Sequence, residues 1–243
     1  MASVRVTQIL SALADEDGPV DHLPQRLVTA CARAVPVTGV GLVLMSDAGP
    51  AGSVAVTDGP AAVMEELQFT LGEGPCVDSS RTGRPVLQPD LASTGPARWP
   101  GFTEGALEAG IKAIFAFPLR VGGIRLGVLD LYRDVAGLLS ADEEAEALSF
   151  ADAATTLLLH LQVQADDAGS GVIEVIEDRA QVHQATGMIA VDAEVTLAEA
   201  LVLLRARAYA AERPILSVAQ DVLAGVVRFS NDDGGRYGHG PND

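Results

Sequence analysis

The chain has 243 residues, 48% of them hydrophobic and 20% charged, which admits one large or two smaller folded domains and excludes a disordered or fibrous chain. Sixteen basic residues against 33 acidic ones give a net charge of −17, which opposes non-specific attraction to nucleic acid or an anionic membrane without excluding a local basic site. Cys31 and Cys76 are too few for a disulfide scaffold.

No apolar run approaches the roughly 20 residues that span a bilayer. Nor do the first twenty residues have the basic, apolar and cleavage segments of an export signal. The expectation is a cytoplasmic protein without a membrane partner. Lys112 is the only lysine, so nearly all positive charge is arginine, the better residue for planar hydrogen bonding and stacking.

In chain order, residues 1–19 form an N-terminal extension with a short apolar segment (Val4, Val6, Ile9, Leu10, Leu13) that ends in the break DEDGP. Leu23, Leu27, Ala30 and Ala34 repeat at helical spacing and are closed by Pro36. Val40–Ser46 and Ser53–Asp58 read as strands around a Gly/Pro-rich loop at Ala48–Gly52, followed by a helix near Ala61–Phe69. After Gly72, Gly74, Pro75 and Gly83, a short strand fits Pro85–Gln88. STGPARWPGF reads as a loop, and Phe102–Ala109 as a helix.

AIFAFPLRV and IRLGVLDLYR are the clearest strands, joined by the hairpin signal Gly122-Gly123. Ser140 and Glu143 have capping-box spacing and open a helix that carries Ala145, Leu148, Ala151, Thr155 and Leu158 to about Val163. The pattern predicts an α+β domain over residues 20–164, an antiparallel sheet with flanking helices. The polar stretch 165–171 is the expected linker.

Residues 172–229 read as a small all-α domain of three helices, with a disordered tail at 230–243. The first helix covers Val172–Ala190. Capping boxes at Thr196–Glu199 and Ser217–Gln220 open the other two, and Pro214 stops the second. Leu197, Ala200, Leu201, Leu204 and Ala208 form the expected inner face of the second helix.

Arg179–Leu223 resembles the ANTAR domain, on Gln184-Ala185-x-Gly187, Glu199-Ala200, Leu204-Arg205 and Val218-Ala219. LGEGPC (Leu71–Cys76), RWPGF (Arg98–Phe102), AIFAFPL and LGVLDLYR resemble GAF domains joined to ANTAR modules in actinobacteria. Together these resemblances imply a sensor-coupled regulator of transcription antitermination that binds hairpin loops in nascent RNA. Gly187 and Ala185 would then allow a close approach of the second helix or of an RNA backbone. A small-molecule ligand is expected in the GAF part (residues 20–164), whose last helix would pass the signal onward; neither the ligand's identity nor any cofactor is legible.

The expected RNA contacts are Gln184, Thr186, Arg205, Arg207, Tyr209 and Arg213. Arg205 and Tyr209, four residues apart, share a helical face, and Arg213 would extend that stripe. Guanidinium groups reach phosphates or base edges, and Tyr209 can stack on an unpaired base. The plain alternative is a solvated helix face. Between residues 172 and 229, five arginines face eight acids, which favours weak RNA binding unless dimerisation doubles the contacts. An adaptor that senses a ligand or redox state and binds no RNA is the competing reading. The helices at Ser140–Val163 and Val172–Ala190 are the expected homodimer seam.

In the GAF-like part the expected ligand contacts are Cys76, Trp99, Phe115 and Phe117, the aromatics lining an apolar pocket between the sheet and the RWPGF segment. Core packing and a buried structural cysteine are the simpler alternatives. No Walker motif, nucleophile elbow, complete dinucleotide fingerprint or metal-ligand cluster is present, so neither catalytic nor metal-binding residues are expected. The last domain lacks a helix-turn-helix pattern, and no specific DNA binding is expected.

Overall fold

The computed structural model describes residues 4–15, 22–46, 49–57, 59–168 and 172–229. The expected tail at 230–243, the break after Asp15 and the last residues of the expected linker lie outside them. The chain divides into two compact units, residues 1–177 and 178–243.

In the first unit, α1 (Val4–Asp15) and α2 (Leu23–Ala34) precede the hairpin of β1 (Gly39–Ser46) and β2 (Gly49–Val56). Next come α3 (Pro60–Leu71), α4 (Pro75–Thr82), β3 (Val86–Gln88), α5 (Leu91–Arg98), α6 (Pro100–Glu108), β4 (Ala113–Val121), β5 (Ile124–Arg133) and α7 (Ala141–Ala168). The five strands form one sheet in the order β2-β1-β5-β4-β3, every neighbouring pair antiparallel. Strand side chains alternate between faces, and the two faces carry two separate cores. On one, Leu42, Phe115, Phe117, Leu129 and Leu131 pack with α1, α2 and α7. On the other, Val43, Ile114, Ala116, Val128 and Tyr132 pack with Met64 of α3, Cys76 of α4, Leu91 of α5 and Phe102 of α6.

Local chemistry accounts for most helix boundaries. α3, α4 and α6 each open with proline in the first turn, where its missing N–H costs nothing. α3 and α4 end at Gly72 and Gly83, both left-handed (φ 64° and 66°), a conformation that penalises any side chain. The Ser140–Glu143 box opens α7: the Ser140 amide donates to Glu143 at 2.7 Å and the Glu143 amide to Ser140 at 3.3 Å.

Four expectations change. The N-terminal segment is not a bare extension: Val6, Ile9 and Leu13 of α1 are buried in the first core, and Arg5 is ion-paired with Glu146 of α7. The loop expected at Ala48–Gly52 is largely strand, because β2 begins at Gly49 and its register with β1 accommodates two irregularities. The STGPARWPGF loop is two helices. Asp90 caps α5 by accepting from the Ser93 amide, and Leu91 and Gly95 are buried, which holds α5 together despite Pro96 inside it. Helix α7 continues to Ala168, so residues 165–168 of the expected linker are helical.

In the second unit, α8 (Val172–Asp192), α9 (Leu197–Ala210) and α10 (Ile215–Leu223) bury Val182, Ala185, Ile189, Ala200, Leu204, Ala208, Ile215, Val218, Ala219 and Val222. The Thr196–Glu199 capping box is complete. Leu197, expected inside, is 64% exposed. The second box is absent: α10 starts two residues before Ser217, behind Pro214, and the Ser217 hydroxyl instead accepts from the Arg213 guanidinium at 2.6 Å. Gly187 serves no close approach among the described residues, since a Cβ there would have nothing within 4 Å.

Candidate functional site

The sheet face covered by α3 and α4 contains a polar cluster within an apolar core. Helix α3 buries the stripe Ala61, Met64, Glu65 and Gln68, spaced i, i+3, i+4, i+7, and two of these four side chains are polar. Opposite them, β5 contributes Asp130 and Tyr132, two residues apart and so on the same face as Val128. All four polar side chains are at most 4% exposed. Gly41, paired with Asp130 across β1 and β5, makes room for the cluster, since a Cβ there would collide with the Glu65 carboxylate.

The hydrogen bonds run in one chain. The Tyr132 hydroxyl donates to Glu65 Oε1 at 2.8 Å. Gln68 Nε2 donates to Tyr132 Oη at 3.1 Å and to Asp130 Oδ2 at 3.3 Å, while Gln68 Oε1 accepts from the Cys76 amide at 2.9 Å. Among the described residues, Glu65 Oε2 and Asp130 Oδ1 are buried without a hydrogen-bond partner. A buried charge without a partner is costly, and a carboxyl meets that cost by taking up a proton. Burial, and then the nearby Asp130 charge, push the Glu65 carboxyl well above its usual range against the Tyr132 hydrogen bond. Burial pushes Asp130 up to about 8, against the hydrogen bond from Gln68. Two neighbouring carboxyls that both resist ionisation titrate as a coupled pair.

Cys76 adjoins this cluster at the start of α4, with its side chain wholly buried. Burial raises its thiol well above the ordinary range, and Asp130 and Glu65 raise it further. The surroundings therefore stabilise the thiol, not the thiolate that a reactive cysteine requires.

The four expected ligand contacts do not share one pocket. Cys76 and Trp99 belong to the α3/α4 side of the sheet, whereas Phe115 and Phe117 face the opposite core with α1, α2 and α7. The equal parity of the two phenylalanines on β4 holds, but it directs them away from Trp99. Trp99 is fixed between α5 and α6: its Nε1 donates to Asp78 Oδ2 at 3.2 Å and the Arg98 guanidinium lies 4.1 Å from its ring centroid. Asp78 also accepts from Arg81 at 2.8 Å and Arg98 at 3.1 Å. Burial opposes ionisation of Asp78, but these two arginines outweigh it and hold its carboxyl below the ordinary value.

In the second unit, Gln184, Arg207 and Tyr209 are exposed, Tyr209 by 54%. Thr186 is not at the surface: it is buried, and its hydroxyl donates to the Val182 carbonyl at 2.7 Å. Arg205 is half-buried, its Nε enclosed without a partner among the described residues. Arg213 follows the end of α9 and does not extend the stripe, because its guanidinium donates to Asp221 at 2.7 Å and to Ser217. Of the six expected contacts, Gln184, Arg207, Tyr209 and Arg213 are exposed, the last tied to Asp221 and Ser217, while Arg205 is half-buried and Thr186 is buried.

Glu65, Gln68, Asp130 and Tyr132 were absent from the expected site. The available signals were Asp130 inside the apolar strand LGVLDLYR and two polar residues on the core stripe of α3. Among the described residues, no helix is long and apolar enough to cross a membrane.

The fold recurs in solved structures. A domain of a two-component sensor histidine kinase protein from Sinorhizobium meliloti shares 15% identity, with 63% of this chain and 100% of that chain covered at a TM-score of 0.51. The GAF domain of an Acinetobacter phosphoenolpyruvate-protein phosphotransferase shares 11% identity, with 68% and 95% covered at 0.50. The GAF domain of the Coxiella burnetii phosphotransferase shares 17%, with 67% and 95% covered at 0.50. These likenesses concern the fold alone. No curated protein matches the chain significantly. The sequence profile of the GAF domain matches residues 21–159, more than half the chain, and the chain belongs to the GAF domain family.

Proposed function

We propose that the chain is a sensor-coupled RNA-binding regulator. Its GAF domain senses a signal, and the unit formed by α8, α9 and α10 binds hairpin loops in nascent RNA to promote transcription antitermination. This reading rests on the ANTAR resemblance of Arg179–Leu223. The observation that supports it most is the outward presentation of Tyr209 and Arg207 on α9 and Gln184 on α8, on a helical unit with its own core. An exposed tyrosine beside a guanidinium is suited to stacking on an unpaired base. In the same reading the protein acts as a homodimer, which brings two RNA-binding units to paired loops and raises their effective concentration. Leu148 and Leu159, exposed on α7 about three turns apart, are suited to a dimer seam. Its role is regulatory rather than catalytic.

The signal fits the buried carboxyl cluster. Glu65 Oε2 and Asp130 Oδ1 lack donors, so a proton or a small hydrogen-bond-donating ligand stabilises the conformation that contains them. The competing adaptor reading draws on Arg213, whose guanidinium is tied to Asp221 and Ser217, and on Thr186, which is buried. Binding of two-loop RNA hairpins at several salt concentrations separates the two. Arg207→Ala/Tyr209→Ala is expected to weaken binding at least ten-fold while the unit stays folded, since both side chains are exposed. No RNA binding by the wild type, or equal binding by the folded double variant, rejects the RNA reading.

A further inference from the structure

Helix α9 buries Ala200, Leu204 and Ala208 on one side. Its opposite side is apolar too: Val202, Leu203, Ala206, Tyr209 and Ala210 are all exposed, Val202 by 62%. A helix that is apolar all round is ordinarily covered all round. The exposed charges of α9 are Glu199 and Arg207, and with Leu203 they form one ridge at i, i+4 and i+8. The two stand about 12 Å apart along the axis, too far to pair with each other. Neither takes part in an ion pair among the described residues. In the capping box, the Thr196 amide and hydroxyl donate to one carboxylate oxygen of Glu199, Oε2, at 2.9 and 2.7 Å.

We propose that this side of α9 docks a second copy of the chain, the two helices crossing antiparallel about a two-fold axis at Leu203. Turned end for end about Leu203, the ridge maps onto itself with its charges exchanged. Glu199 of each copy meets Arg207 of the other, and the two Leu203 side chains meet at the axis, an isologous contact. A partner of one charge sign complements only one end of the ridge, whereas an inverted copy complements both. Beside the ridge runs the row Val202, Ala206 and Ala210, whose two alanines leave a shallow groove for the ridge of the facing helix. The contact does not depend on the RNA reading or on the α7 seam. Where RNA binds this side of α9, it competes with the second copy for Arg207.

Oxidative cross-linking of the full chain tests this. Cys31 and Cys76 are buried, so in Leu203→Cys the new thiol is the exposed one. It is expected to form a disulfide-linked dimer several-fold faster than Leu197→Cys, a position 64% exposed but on the stripe of Ala200 and Leu204. Adding Arg207→Glu opposes like charges twice per dimer and is expected to slow cross-linking roughly ten-fold, as is adding Glu199→Arg instead. An equimolar mixture of these two double variants restores opposite charges at both ends and is expected to recover most of the rate. Thermal unfolding checks each variant, and Arg207→Glu, which leaves the capping box intact, carries the test alone if Glu199→Arg unfolds the unit. The proposal is overturned if Leu203→Cys cross-links no faster than Leu197→Cys, as it would were this side of α9 reserved for RNA or another protein. It is also overturned if Arg207→Glu leaves the rate unchanged, or if the mixture of folded variants is as slow as its components.

Discussion

Replacing Asp130 with asparagine tests the central claim about the buried cluster. The variant removes a charge that the fold resists while keeping an oxygen to accept from Gln68, which donates to Asp130 at 3.3 Å in the wild type. In the folded protein, burial raises the Asp130 carboxyl from 3.8 to about 8. The folded state therefore binds this proton more tightly than the unfolded chain does. The carboxyl's contribution to stability is complete below about pH 4 and is lost as pH rises towards 8. One proton corresponds to at most about 1.4 kcal/mol per pH unit, so the interval from pH 4 to 7 has an upper limit of about 4 kcal/mol. Glu65 is shifted in the same direction and adds to the slope.

Trp99 is the only tryptophan and is 2% exposed in the same core, so its fluorescence during urea unfolding reports on this domain. At fixed moderate salt, wild-type stability should fall between pH 6 and 8 with a slope above one proton. Asp130→Asn should show a slope lower by up to one proton and be more stable at pH 8 by roughly 2–4 kcal/mol, the lower figure allowing for imperfect rehousing of the amide. An unchanged slope, or a variant less stable than wild type at pH 8, would refute the claim that the fold keeps these carboxyls protonated.

Gly187→Ala is expected to stabilise the three-helix unit by about 1 kcal/mol, because alanine favours a helix interior and the position is open; a lower unfolding temperature would show that the glycine is required for the fold. Cys76 and Cys31 are both wholly buried, and burial raises both thiols, Cys31 to about 12 with a further contribution from Glu146. Both are therefore expected to resist Ellman's reagent in the native protein at pH 8 and to react fully in urea, whereas rapid native labelling of Cys76 would restore the redox reading.

The sheet was legible in the sequence because its long strands alternate or run apolar. AIFAFPLRV and IRLGVLDLYR, joined by two glycines, leave little room for another assignment. The reading failed where local signals opposed burial. Gly95-Pro96 read as a break, yet Leu91 and Gly95 are buried and Asp90 supplies the cap. Ser217 read as a cap, yet its hydroxyl is taken by Arg213 and the apolar residue before it, Ile215, draws the helix start forward. In both places packing outweighed a local preference of about 1 kcal/mol.

The site was only partly legible for a different reason. Each member carries a signal of its own: Glu65 and Gln68 fall on the stripe begun by Ala61 and Met64, while Val63 between them is 47% exposed. Asp130 stands between two leucines in a buried strand. What the sequence does not contain is their meeting, which depends on β5 lying beside β1 so that Asp130 falls opposite Gly41. The Arg120–Arg125 pair illustrates the same point. The residues are five apart around Gly122-Gly123, but only the irregular register after Leu119 sets them face to face. The cluster opposes local stability by burying carboxyls, and protonation lowers that cost. In an otherwise consistent fold, a local conflict of this kind marks a functional or strained position.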